Sequence, residues 1–204
     1  MPIPAVQVYA MAMPISSART DWTVEEINAL PDDGNRYEVV DGELLVTPAP
    51  SDTHQAVVLE LALCLSAYVK AFSMQLLIAP SAVTFSSLRE VQPDLLVRPL
   101  LNGRPARRFA DVGRLELAVE VLSPSTTRAD RYVKRRLYLS EQVPEYWIVD
   151  AAARLAERWR PNDQEPEVLL ESLEWRPRPD VEPLVIDLVT LFQTVHGDCA
   201  ARSA

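Results

Sequence analysis

The sequence contains few of the residues that disulfide-rich, zinc-binding or phosphate-loop proteins require. Its 204 residues include two cysteines, Cys64 and Cys199, whose separation fits neither a disulfide framework nor a zinc motif. The five glycines form no G-x-G or Walker pattern, and the nucleophile motifs G-x-S-x-G and S-x-x-K do not occur. A reducing, cytoplasmic setting is therefore expected, and glycine-loop phosphate binding and serine-nucleophile chemistry are unsupported.

Long apolar segments are also scarce, which argues against a membrane span or a secretory signal. The longest apolar run, residues 56–72, carries Glu60 and Lys70 and is amphipathic. Residues 1–15 are apolar, but three prolines interrupt them and no basic residue precedes Arg19. We expect a disordered N-terminal tail over 1–20, a single domain over 21–195 and a C-terminal tail over 196–204.

The distribution of charge is uneven. A net charge of −9 argues against a general nucleic-acid binder, because such proteins gain affinity by neutralising phosphates. Residues 98–136, however, hold ten basic side chains against four acidic ones, a local excess of +6. Such a run is more commonly a solvated charged face, but it also permits a local basic surface. We predict that Arg128, Arg131 and Arg135 contact nucleic acid.

The order of the predicted elements indicates an α/β fold. Residues 23–26 (TVEE) have the capping-box form that opens a short helix, and Asp41-Gly42 predicts a hairpin over 36–46. Other predicted elements are a helix from Ser51 or Asp52 to about Phe72, strands over 75–79, 82–86, 92–97 and 154–160, a loop over 99–113 and a helical turn over 187–195. A strand over 115–122, a helix over 126–142 and a strand over 145–150 form a βαβ unit. The sheet is therefore mixed, with helices flanking it.

Two carboxylates stand in apolar strands, where an acid is costly unless it is paired, protonated or bound to a metal. Glu120 lies near the end of the apolar strand 115–122, and alternation places it on the face of Glu116 and Ala118. Asp94 follows Pro93, which marks an edge or bend of the next strand. An ion pair or plain turn chemistry explains each acid alone. Together they form the minimal oxygen site for Mg²⁺ if their strands are neighbours and both side chains point to one face.

Lys134 adds a cation on the helix that follows Glu120. Helical spacing places Arg131, Lys134 and Tyr138 on one face of that helix. A lysine beside two metal-bound carboxylates can orient the attacking water or stabilise the pentavalent phosphate. The alternative is an ordinary helix ion pair, because Asp130 stands four residues before Lys134. His54, near a helix start, is expected to be a capping or surface residue.

A series of short motifs resembles the Uma family of restriction-endonuclease-like proteins, which is placed in the PD-(D/E)XK nuclease superfamily. The motifs span roughly residues 22–160 and match in order and spacing. They are residues 37–44 (YEVVDGEL), 54–55 (HQ), 91–96 (VQPDLL), 119–126 (VEVLSPST), Asp130, Lys134-Arg135, Tyr138, and 145–150 (EYWIVD).

The resemblance implies a restriction-endonuclease-like fold with an N-terminal β-hairpin extension. It also implies that Asp94 and Glu120 correspond to the metal-binding acids of the superfamily, with Mg²⁺ or Mn²⁺ as the cofactor. The usual Glu-x-Lys would place a lysine at position 122, where this sequence has Leu122. Lys134 is the expected substitute, as in the Uma pattern. Glu38, Gln92 and Tyr138 are expected accessory site residues.

The leading hypothesis is a Mg²⁺-dependent endonuclease that acts on DNA, with Asp94, Glu120 and Lys134 as catalytic residues and a homodimer as the expected assembly. A second hypothesis is a non-catalytic or regulatory domain that keeps the nuclease fold, motivated by the net charge of −9 and the missing lysine at 122. A third is a structural dimer that binds a protein partner through the sheet edge or the hairpin of Trp147 and Trp159.

Overall fold

The computed structural model describes residues 19–198. The helices are α1 (Val24–Asn28), α2 (Asp52–Ala71), α3 (Arg135–Ser140) and α4 (Leu188–His196), with a 3-10 turn at Phe109–Asp111 and a π-helical turn at Ala129–Lys134 that runs directly into α3. The strands are β1 (Arg36–Val40), β2 (Glu43–Thr47), β3 (Met74–Ile78), β4 (Val83–Ser86), β5 (Arg89–Val91), β6 (Leu95–Pro99), β7 (Leu117–Val121), β8 (Tyr146–Asp150), β9 (Leu155–Trp159), β10 (Glu167–Leu169), β11 (Ser172–Trp175) and β12 (Leu184–Asp187). Residues 1–18 and 199–204 of the predicted tails lie outside the described residues.

The strands form three sheets. The central sheet has six strands in the order β10-β9-β8-β7-β6-β3, and a four-stranded sheet has the order β2-β1-β5-β4. The third is the β11-β12 pair. Within the central sheet only β7 and β8 pair in parallel, and the π turn and α3 connect them, as the βαβ pattern predicted. The fold is the predicted mixed sheet with flanking helices, and the predicted hairpin is part of the second sheet.

Local signals explain why the elements next to the site form where they do. Thr23 caps α1 through a complete capping box. The Ser51 side chain caps α2 by accepting a hydrogen bond from the His54 N–H in the first turn. In the hairpin of β1 and β2, Asp41 and Gly42 both have positive φ, as a tight hairpin turn requires. A Cβ at Gly42 would lie 2.2 Å from a backbone oxygen, so no larger residue fits there.

Apolar side chains cover both faces of the central sheet. On one face α2 buries Val57, Leu61, Leu65 and Val69 against alternate residues of β6 and β7. On the other face the π turn and α3 bury Val133 and Leu137 against the remaining alternate positions. Full burial of each large aliphatic side chain contributes about 1.5–3 kcal/mol, so both helices are firmly fixed on the sheet. This alternation decides which polar side chains of β6 and β7 face α3.

Three predictions about this region need correction. The helix predicted over 126–142 is present over 127–140, but its segment Ala129–Lys134 is π-helical, which hydrophobic periodicity does not signal. The strand predicted over 92–97 begins at Leu95, because Pro93 interrupts the ladder. Trp147 and Trp159 are 0% and 4% exposed, so the hairpin that carries them offers no aromatic surface to a partner. The homodimer stays a prediction.

Within residues 19–198, no helix combines the length and the apolar character needed to cross a membrane.

Candidate active site

The predicted acids Asp94 and Glu120 meet across the β6–β7 pair. The antiparallel register joins Leu95 to Val119, and one further step places Asp94 opposite Glu120. Directly opposed residues of an antiparallel pair share a face of the sheet. Asp94 is also held at the end of β7, because its Oδ2 accepts the Val121 N–H at 2.9 Å. The two carboxylates are 3% and 1% exposed and therefore form one buried acidic pair.

Lys134 reaches this pair from the π turn. Its Nζ lies 3.1 Å from Glu120 Oε1, 2.8 Å from Glu38 Oε2 and 3.5 Å from Asp130 Oδ1. Burial alone would lower the pKa of Lys134, but these three carboxylates outweigh it and raise the pKa above its ordinary value. Lys134 is therefore a permanent cation. The helix supplies this charge to a strand that has Leu122 at the usual lysine position.

Asp94, Glu120 and Lys134 form the centre of a buried charged cluster. Two of the expected accessory residues, Tyr138 and Glu38, contact it directly. The Tyr138 hydroxyl donates to Glu120 Oε1 at 3.1 Å, one helical turn after Lys134. Glu38, on β1, is 0% exposed and its Oε1 accepts the Gln92 N–H at 2.6 Å. Gln92 therefore acts through its backbone, while its side-chain Nε2 lies 3.5 Å from the Tyr37 carbonyl. The cluster is thus held in position by Tyr138 on α3, Glu38 on β1 and the backbone of Gln92, which follows β5.

Sequence reasoning missed two groups that bind Asp94. Arg36 Nη1 donates to Asp94 Oδ1 at 3.1 Å and to the Gln92 carbonyl at 2.9 Å. His54 Nε2 lies 3.0 Å from Asp94 Oδ2 and His54 is 7% exposed, so the expectation of a mere capping or surface residue was wrong. The sequence contains only weak signals for these two contacts with Asp94. Arg36 shares a strand face with Glu38, and His54 belongs to one of the family motifs.

These contacts keep Asp94 ionised. Burial alone would raise the pKa of Asp94, but the hydrogen bond and charge of His54 and the charge of Arg36 lower it to about 2.

Glu120 behaves in the opposite way, because burial raises its pKa well above the ordinary value despite Lys134. Burial also raises the pKa of Asp130. Asp130 is 1% exposed, so its contact with Lys134 is a buried ion pair and not the surface helix pair considered from the sequence.

The predicted nucleic-acid contacts lie outside this cluster. Arg131 binds Asp150 at 3.3 Å and Glu157 at 2.8 Å, on the far side of β8. These partners belong to β8 and β9, so Arg131 contacts the sheet beside the cluster and not within it. Arg135 stacks on Trp159, with its guanidinium 4.4 Å from the ring centre. Arg128 is exposed. Contact of these three arginines with nucleic acid stays a prediction.

The buried cluster carries an excess of negative charge. Four carboxylates (Glu38, Asp94, Glu120 and Asp130) are at most 3% exposed, whereas Arg36 and Lys134 supply only two permanent positive charges beside them. Glu38 Oε2 and Asp130 Oδ1 both depend on the ammonium of Lys134, which three carboxylates share. Unneutralised buried carboxylates are costly, and hard oxygen donors are the ligands that Mg²⁺ and Mn²⁺ prefer. The residues present therefore fit a divalent cation.

The arrangement differs from that of a closed metal cage. In the part of the chain that the structure describes, no three His, Cys, Asp or Glu side chains are grouped as a complete ligand set. Mg²⁺ does not need one, because it retains several waters and takes one or two protein carboxylates. A pair of buried carboxylates such as Asp94 and Glu120 is a protein contribution of that size.

A cleft connects the cluster to solvent. Its volume is about 630 Å³, and it is lined by the loops around residues 30–37, 47–51, 78–80 and 123–126. Arg36, His54 and Asp94 line it as well, whereas Glu120 and Lys134 do not. A molecule in the cleft can therefore contact Asp94, whereas Glu120 and Lys134 lie behind the cleft wall.

Comparisons with known proteins agree with this architecture. The Uma2 family model, described as "Putative restriction endonuclease", matches residues 24–189. A crystal structure from Anabaena variabilis, described as "a putative nuclease belonging to DUF820", superposes with a TM-score of 0.70 at 21% identity, covering 85% of this chain and 99% of that one. At this identity the likeness establishes the fold. No curated protein matches the chain.

Proposed function

Because this chain belongs to the Uma2 family of restriction-endonuclease-like proteins, we propose that it is a metal-dependent nuclease that hydrolyses phosphodiester bonds of DNA. One observation carries the proposal: Asp94 and Glu120 are opposed across β6 and β7, and Lys134 lies 3.1 Å from Glu120. Two carboxylates can hold a metal ion that activates water for hydrolysis of a phosphodiester, and a neighbouring ammonium adds positive charge. The DNA substrate comes from the family relationship.

Asp94 and Glu120 are the proposed ligands of a Mg²⁺ or Mn²⁺ ion. When bound, such an ion lowers the pKa of a water molecule and stabilises negative charge on a phosphate oxygen. The protein fixes the orientation of both ligands. Arg36, His54 and the Val121 N–H hold the two oxygens of Asp94, and Tyr138 and Lys134 both contact Oε1 of Glu120. Such supporting contacts commonly change metal affinity by about 10- to 100-fold.

Lys134 acts as a fixed positive charge in this scheme. Its three carboxylate partners raise its pKa, so it keeps its proton at neutral pH and does not serve as a general base. A protonated amine next to Glu120 stabilises the charge that develops on the phosphate as water attacks. The buried position of Lys134 strengthens this effect, because the surroundings of the ammonium exclude water.

The proposal is tested with purified protein, supercoiled plasmid and single-stranded DNA, in Mg²⁺ or Mn²⁺. The wild type should cut, EDTA should abolish cutting, and Asp94→Asn should reduce the rate by roughly 100-fold or more. Asp32→Asn is the matched control, since exposed Asp32 lines the same cleft and undergoes the same chemical change. Absence of cutting by the wild type, or equal cutting by the wild type and Asp94→Asn, contradicts the proposal.

A further inference from the structure

The reactive carboxylates lie at the floor of the cleft. Asp94 is 3% exposed and Glu120, behind it, is 1% exposed. Pro31, Pro48 and Pro80 line the cleft, and their fixed φ angles restrict the backbone there. A phosphate that reaches Asp94 must therefore enter the cleft together with the sugar and base attached to it.

The cleft has the size of a small-molecule site. Its volume of about 630 Å³ falls within the range of roughly 300–1,000 Å³ that is typical of pockets for drug-sized ligands. One or two nucleotides have this size. A duplex does not, because the paired strand accompanies every phosphate of intact double-stranded DNA.

The charge of the cleft also disfavours a long duplex. Among residues 19–198, the basic side chains that line it are Arg36 and His54, and the acids Asp32 and Asp94 line the same space. Proteins that follow a duplex backbone neutralise many phosphates with a row of lysines and arginines. A nearly neutral cleft with a single permanent cation suits one phosphate at a time.

Tyr37 supplies a surface for a base. Within the described part of the chain it is the only Phe, Trp or Tyr that lines the cleft, and its hydroxyl donates to Asp33 Oδ2 at 2.7 Å, which fixes the ring in place. A fixed aromatic ring stacks on an unpaired base with little sequence preference. Tyr37 lines the same cleft as Arg36 and Asp94. A base on Tyr37 therefore belongs to a nucleotide that shares the cleft with Asp94.

We propose that the cleft takes an unpaired nucleotide of DNA, from a single strand, a flap or a flipped-out base, and that Tyr37 stacks on it. This inference rests on the nuclease proposed above and specifies its substrate. Intact duplex enters only after a nucleotide has been extruded, at the cost of unpairing and unstacking it. Single-stranded DNA is then the preferred form.

Binding and cleavage are measured separately, so that the two proposals can fail independently. Fluorescence anisotropy in Ca²⁺ compares a labelled 12-nucleotide single strand with the fully paired duplex of the same sequence, and Mn²⁺ then reports cleavage of each. We expect the single strand to bind at least tenfold more tightly and to be cut faster. Equal or tighter binding of the duplex overturns this inference. Tight binding of the single strand without any cutting supports it and refutes the nuclease activity.

Variants of Tyr37 test the stacking surface. Tyr37→Leu should weaken single-strand binding by about fivefold or more, as expected for loss of one stacked base. Tyr37→Phe keeps the ring and loses only the hydrogen bond to Asp33, so it should bind within about twofold of the wild type. The melting temperatures of both variants show whether they are folded. Unchanged binding by folded Tyr37→Leu contradicts the role of Tyr37.

Discussion

Lys134 Nζ lies 3.1 Å from Glu120 Oε1, although the two residues stand on different elements, fourteen positions apart. The π turn that carries Lys134 packs over the end of β7, so the ammonium approaches the carboxylate from above the sheet. Leu122, at the position where the superfamily usually has a lysine, is partly buried against the apolar cluster under α3. The helix and not the strand thus supplies the cation of the site.

Removal of this cation should destabilise the protein. Lys134→Met leaves Glu38, Glu120 and Asp130 buried without their common partner. Breaking a buried charge network in this way costs about 3–5 kcal/mol. Urea denaturation in EDTA should show that loss in the free energy of unfolding, and addition of Mn²⁺ should recover part of it because the ion replaces the missing charge.

The matched control for this substitution is Lys70→Met, because Lys70 is the only other lysine in the sequence and is exposed. It should change the free energy of unfolding by less than about 0.5 kcal/mol. Comparable losses in Lys134→Met and Lys70→Met contradict the described network.

Glu120→Gln should separate stability from metal binding. Burial raises the pKa of Glu120 well above its ordinary value, so its ionised form is costly in the metal-free protein at neutral pH. Glutamine removes that charge and still offers an oxygen to Tyr138. Differential scanning calorimetry in EDTA should give a melting temperature equal to or above that of the wild type, with little increase on addition of Mn²⁺.

Glu165→Gln is the control for Glu120→Gln, since Glu165 is exposed in a loop far along the chain. It should keep the full Mn²⁺-dependent increase in melting temperature. A melting temperature of Glu120→Gln that is several degrees lower in EDTA speaks against a net cost of the Glu120 charge.

Glu145, a buried acid outside the site, predicts that the stability of the protein depends on pH. Glu145 accepts a hydrogen bond from Trp147 Nε1 at 2.8 Å, and burial raises its pKa above the ordinary value of 4.5. The folded state therefore holds a proton that the unfolded state has released, and this contribution to stability is lost as pH rises above about 4.5. Glu145→Gln, which does not titrate, should gain stability relative to the wild type between pH 4 and pH 7. Denaturation followed by tryptophan fluorescence measures this difference, and an unchanged or opposite difference contradicts the raised pKa.

The sequence contains strong local signals for several parts of this fold. The hairpin at Asp41-Gly42, the cap at Ser51 and the parallel pairing of β7 with β8 each follow from turn chemistry, helix capping or the handedness of a βαβ unit. The pairing of Asp94 with Glu120 also depends on β6 and β7 being neighbours, which no local pattern encodes; alternation then places both acids on one face.

Other parts of the site depend on contacts that no local pattern encodes. Arg36 lies 58 positions from Asp94, and His54 lies 40 positions from it, so their contacts appear only when β1 and α2 pack on the sheet. The π turn likewise has no signature in hydrophobic periodicity. Tertiary packing decides each of these features.

Calorimetric titration with Mn²⁺ tests the central claim most directly, namely that Asp94 and Glu120 together bind one divalent cation. The wild type should bind one ion per chain, and both Asp94→Asn and Glu120→Gln should weaken binding by at least about tenfold while remaining folded. Asp32→Asn should bind like the wild type. Wild-type affinity in folded Asp94→Asn, or absence of binding by the wild type, contradicts the account and favours a non-catalytic domain that retains the nuclease fold.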